Sequence, residues 1–359
     1  MGETLKRKER DSNIELFRIV SMLLIVIHHY VVNSGLLDDA FIPADYMSAP
    51  SIFLTLMGGW GKAGINCFVL ITGYFMCTSR ITAKKFIKLL FEYYFYRIVI
   101  TSIFVLCGET LSITSVIKML IPWQNVGSGF FGEYMLFFLM IPFLTILVQN
   151  MTKKQHLYLI ALLSFIYILY GTVKRVEYNH VTWFSVLFVI SSYVRLHPNK
   201  LLEKKSLWGF LTLGSMLAGS FMMIASGWIA QSDFAFREKF YPYLFMIPTN
   251  TIFTIAPAFC AFMYFKNLKI GHSKLINAMG ASTFGILMIH ANSNLMRQWL
   301  WCDVFKVTEV FDSKWMPLHA IGSTIVIFVL CAAIDCLMRR WIEEPLFRHF
   351  EKRKTEKTA

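Results

Sequence analysis

The chain has 359 residues, 56% of them hydrophobic and only 16% charged, with a mean hydropathy of +0.54. Soluble domains carry about 25% charged residues, so a soluble globular fold of this composition could not cover its own surface. The net charge of +13 would suggest nucleic acid on a soluble protein, but in a membrane chain its placement sets orientation, and no nucleic-acid partner is expected.

A spanning helix needs about 20 mostly apolar residues. The chain opens on a basic stretch, Lys6-Arg7-Lys8-Glu9-Arg10, and runs into a first apolar segment at 14–34. That segment lacks a small-residue cleavage site and carries Arg18, so it reads as a permanent span and not a signal peptide. Further segments follow at 50–78, 89–107, 130–149, 157–171, 181–196, 207–228, 243–265, 281–301 and 318–340, the fifth and sixth being short. The predicted fold is all-α, a polytopic bundle of about ten transmembrane helices over 1–345 with a basic tail at 346–359. With the N-terminus inside, the inner segments hold 24 Lys and Arg and the outer ones 7. This positive-inside asymmetry predicts an even number of spans, with both termini cytoplasmic.

The 7 cysteines show no CxxC pair and no metal spacing, so no metal ligand set is expected. Most lie in apolar runs as small hydrophobes. Cys107 and Cys302 fall near predicted outer ends, where a bridge could form, but nothing else resembles a disulfide framework.

Ionisable residues inside spans are costly, and usually face a cavity, a partner or a substrate path. The first span carries Glu15, Arg18, His28 and His29. At about 100° per residue, the eleven steps from Arg18 to His29 return to within about 20° of one face. Glu15 is an i,i+3 neighbour of Arg18. Glu15, Arg18 and His29 therefore form one polar stripe, with Arg18 and His29 about 16 Å apart along the axis. His28 points about 100° away from His29. In the competing reading Arg18 snorkels and both histidines are interfacial.

The remaining spans carry weaker signals. Arg97 and Glu92 in the third span could pair across the bundle. Lys62 and Asn66 flank Gly58-Gly59-Trp60-Gly61, where close helix packing is expected. His290 lies near the centre of the ninth span and could be a satisfied structural residue. Asp335 reads as interfacial.

In order, these residues resemble the acyltransferase-3 family of membrane acyltransferases, which acylate extracytoplasmic glycans and related acceptors. The acid-x-x-Arg-x10-His pattern is filled by Glu15, Arg18 and His29, with Glu for the more usual Asp. The end of the second span, Gly64 through Thr72-Gly73-Tyr74, is similar to a Phe-rich Ser-Gly-Tyr signature, with Thr for Ser. Glu133-Tyr134 through Pro142, the Ser282-Thr283-Phe284-Gly285-Ile286 run reaching His290, and the Ile342-Glu343-Glu344-Pro345 ending match further segments. One departure lies before the third span, where members often carry Arg-x-x-Arg. Here the loop holds Arg80, Lys84, Lys85 and Lys88, with Phe91 where a second Arg would fall. Lysine attracts phosphate without a bidentate fork.

The resemblance implies a stand-alone member without an appended esterase-like domain, in a bacterial plasma membrane. It takes acyl-CoA as donor substrate, with acetyl favoured over succinyl, and holds no bound cofactor. The acceptor is a surface polysaccharide, a lipid-linked glycan or a small metabolite. His29 is the expected general base or transient acyl acceptor. Glu15 orients Arg18, and His290 serves in proton transfer or acceptor positioning. Arg18 with Lys84, Lys85 and Lys88 holds the anionic CoA end. A proton-coupled transporter or glycan flippase would use similar residues, but no inverted repeat with broken helices is evident in the sequence.

Overall fold

The computed structural model describes residues 10–350, except positions 80, 111, 122–129 and 175. Arg80 and Arg175 therefore lie outside the described residues, as do Lys6, Arg7, Lys8 and the tail from 351. The described residues form helices joined by turns and short irregular segments, with no strand among them.

Among the described residues, seven stretches are long and apolar enough to cross a membrane. They are α1 (Ser12–Val32), the kinked pair α2 (Ala49–Gly58) and α3 (Gly61–Met76), α4 (Ala83–Leu106), α6 (Phe130–Gln149), the run Lys153–Val173, α10 (Lys205–Ala230) and the run Met316–Phe350. A short helix, α5 (Ile113–Leu120), precedes α6. The Lys153–Val173 run joins α7 (Lys153–Leu163) to α8 (Tyr170–Val173) through a π turn. Two shorter apolar helices complete the set, α9 (His180–Leu196) and α11 (Ile252–Lys266).

Local chemistry sets several helix starts. Thr82 caps α4 by accepting from the Lys85 amide, and Thr152 and Gln155 form a capping box on α7. Asn179 caps α9. The first span sits inside the bundle, with α1 packed against α2, α3, α11 and α15 (Met316–Met338). By contrast, α4 buries only Tyr96, and α10 turns Phe210, Leu213, Leu217 and Phe221 outward. Outward Leu and Phe are at home against hydrocarbon, where packing rather than the hydrophobic effect joins helices.

Three predicted segments differ from the structure. The eighth, read as 243–265, is helical only from Ile252. Before it, Thr249, Asn250 and Thr251 spend side chains on local and long-range hydrogen bonds that compete with helix. The ninth, read as one helix over 281–301, is three: α12 (Lys274–Ala281), α13 (Thr283–His290) and α14 (Asn294–Gln298), the last running into a π turn. Asn292 bonds back to the Met288 carbonyl and Ser293 caps α14, so short polar side chains break the helix there. The last run, read as ending at 340, continues to Phe350. Cys107 and Cys302 are both free.

Candidate functional site

The α1 stripe divides into two regions. At the Ser12 end, Glu15 is buried and meets two arginines: Arg10 Nη1 lies 3.2 Å from one carboxylate oxygen and Arg18 Nε lies 3.8 Å from the other. The second distance is an ion pair without a hydrogen bond. Glu15 is pressed on by Gly280 of α12, where a Cβ would come within 2.9 Å of the Glu15 carbonyl oxygen. The predicted Glu15–Arg18 pair is thus present, with Arg10 as a third member.

At the other end of the stripe, His29 Nδ1 lies 3.0 Å from His290 Nε2. His290 is fully buried, and its Nδ1 lies 2.6 Å from the Ile286 carbonyl oxygen. These two contacts fix the hydrogens. A carbonyl only accepts, so His290 Nδ1 carries a proton and donates to Ile286. In the neutral ring Nε2 is then bare, and it accepts from the Nδ1–H of His29. His29 Nε2 is left with its lone pair unspent. His29 itself is half-buried. His28, on another face, donates from Nδ1 to the Gly58 carbonyl at 2.6 Å and packs against Gly61, where any Cβ would collide with its ring. The glycine run thus serves close packing, as expected. Asn66 is structural, donating to Thr249 and accepting from the Trp183 indole.

The predicted donor-binding residues fall into two places. Lys84, Lys85 and Lys88 line a cavity of about 720 Å³ together with Arg10, Arg339 and Arg348. Arg18 is not in its wall but joins it through Glu15 and Arg10. Lys88 is occupied: its ammonium lies 2.5 Å from Glu343 and 5.0 Å from the Phe347 ring centroid. A second cavity of about 800 Å³ shares Arg10 and Arg339 and adds Lys274 and Arg340. Part of the basic character of this end thus comes from the C-terminal helix, through Arg339, Arg340 and Arg348, which the sequence did not single out.

Two expectations are corrected. Arg97 does not pair with Glu92: it donates to the Asn292 carbonyl. Asp335 is not interfacial but fully buried, accepting from the Tyr96 hydroxyl at 2.9 Å with Arg339 at 3.9 Å. Arg297 was unassigned. It donates to the Ala291 carbonyl at 3.4 Å, beside Arg97 at the break after His290. The signal was available, since polar residues flank the break on both sides.

Among the described residues, the structure is all-helical, with seven membrane-length apolar stretches and an imidazole held by a second one, the build of a polytopic membrane protein with a polar site inside its bundle. A family model described as an acyltransferase domain, Acyl_transf_3, matches residues 11–336. The chain belongs to this acyltransferase family, and the match contains the α1 stripe and His290. Neither the curated proteins nor the solved structures gave a match.

Proposed function

We propose that this membrane acyltransferase moves an acetyl group from cytoplasmic acyl-CoA to a hydroxyl of an extracytoplasmic or lipid-linked polysaccharide. The His29–His290 pair carries this reading. In the reaction His29 Nε2 takes the hydroxyl proton as the acceptor oxygen attacks the thioester carbonyl. The tetrahedral carbon then collapses, the carbon–sulfur bond breaks, and the proton passes from His29 to the leaving thiolate, giving free CoA. Neutral imidazole suits this role near working pH. His290 positions the base: by accepting from Nδ1 it keeps His29 in the tautomer whose Nε2 faces the acceptor.

The chain crosses the membrane about ten times, with both termini in the cytoplasm and the Ser12 end of α1 facing the donor. The cavity with Lys84, Lys85, Arg339 and Arg348 receives the phosphates of CoA, which are anionic and well matched to a cationic wall. Arg18, loosely held by Glu15, lies between that cavity and His29 and guides the acyl arm inward. The membrane is a bacterial plasma membrane.

The test uses membranes containing the protein and acetyl-labelled acetyl-CoA. Free CoA thiol is released in step with label entering the glycan fraction. Transport of a glycan-related substrate with no thiol released would favour the transporter alternative instead.

A further inference from the structure

Two arginines meet the break after His290. Arg97 of α4 donates to the Asn292 carbonyl, and Arg297 of α14 donates to the Ala291 carbonyl and to the Asn294 side chain at 3.2 Å. The Nε of each is buried and has no hydrogen-bond partner. The two lie close enough to feel each other's charge, and the charge of Arg297 reaches both His290 and His29. Lys62 of α3 lies within electrostatic reach of His28 and His29. Among the described residues, none of the three cations pairs with a carboxylate, and Lys62 makes no hydrogen bond.

Capping accounts for part of this arrangement. The carbonyls at the end of α13 carry about half a negative charge between them, and two full positive charges meet them. Lys62 adds a third that the carbonyls do not touch. Cations within spans are costly and are normally paired or turned to a polar path. Among the described residues, no carboxylate supplies the matching negative charge here.

We infer that Arg97, Arg297 and Lys62 bind an oxyanion of the substrate, a carboxylate or a phosphate, next to His29. Guanidinium forks and an ammonium suit either group. The oxyanion belongs to an acidic acceptor glycan or to the far end of a dicarboxylic acyl group. Calling it part of the substrate rests on the acyl-transfer reading, whereas its binding does not.

The test titrates the purified full-length chain in detergent with galacturonate, inorganic phosphate and succinate, using galactose and chloride as controls and following thermal unfolding. At least one oxyanion is expected to stabilise the protein at concentrations where galactose and chloride do not. Stabilisation by galacturonate or phosphate assigns the site to the acceptor, and by succinate alone to the acyl group. Arg97→Gln and Arg297→Gln each weaken binding about tenfold, the scale of a hydrogen bond to a charged group. Lys62→Met, which breaks no hydrogen bond and so preserves the fold, weakens it severalfold. His29→Ala keeps it, so loss of transfer in that variant stays separable from loss of anion binding. Oxyanions no better than chloride with folded wild type, or binding unchanged in Lys62→Met, would overturn the inference.

Discussion

At the scale of single residues, two imidazoles divide one task. His29 presents a bare Nε2 because His290 occupies its Nδ1–H, and His290 can accept because its own Nδ1–H is spent on Ile286. In the proposed reaction His290 is a positioning residue with a specific substitution pattern. His290→Ala removes the acceptor and frees the ring of His29 to turn; kcat is expected to fall by about 10- to 100-fold, the scale seen when an orienting partner is lost, with KM for the donor unchanged. His290→Gln retains an acceptor oxygen and should keep more of the rate than Ala does. A purely structural His290 would instead change folded yield alike in both variants. The stripe on α1 was legible from spacing, since eleven residues return to one helical face. The hydrogen bond to His290 was not, because sequence separation of 261 residues gives no register between two helices. Glu15 is a further residue-scale case. Glu15→Gln removes the charge that Arg10 and Arg18 share, and about 1–3 kcal/mol of stability should go with it, read as a lower unfolding midpoint in detergent.

Among the elements, α13 and its break shape the site. Apolar content predicted one helix over 281–301, and hydropathy alone could predict nothing else. Asn292, Ser293 and Asn294 carry the information that stops it, since each can bond backbone groups in place of the helix ladder. Non-helical backbone at membrane depth is tolerated where protein or a polar cavity satisfies it, and Arg97 and Arg297 do so here. Gly285 fixes α13 on the other side: a Cβ there would collide with the Asp335 carboxylate of α15. Gly285→Ala should therefore push α13 off α15 at a cost of about 1–3 kcal/mol, the range for overpacking. Lower yield of folded protein, with His290 displaced, would show as joint loss of stability and transfer. The eighth segment teaches the same lesson. Its polar Thr249-Asn250-Thr251 run sits within an otherwise apolar segment, and its side chains hold Tyr167 and Tyr178 of adjacent segments instead of forming a helical turn.

For the whole molecule, positive charge gathers in two places, the cavity lined by Lys84, Lys85, Arg339 and Arg348 and the break after His290. The family match over residues 11–336 makes the chain an acyltransferase, and composition had placed it in the membrane. The cationic cavity could be anticipated from Lys84 and Lys85 but not from Arg348, because the C-terminal helix extends ten residues beyond the predicted span and its far end lines the same cavity. Lys85→Ala and Arg348→Ala should each raise the KM for acetyl-CoA severalfold while leaving the KM for the acceptor unaltered, as expected for groups that contribute binding to one substrate only. In the proposed reaction, acyl transfer depends on His29. The most direct measurement follows label from acetyl-CoA into the glycan fraction for wild type and for an equally expressed, folded His29→Ala. A fall of about 10²- to 10⁴-fold, the range for general-base catalysis, is predicted. Near-normal transfer in the variant would show that His29 is not the base.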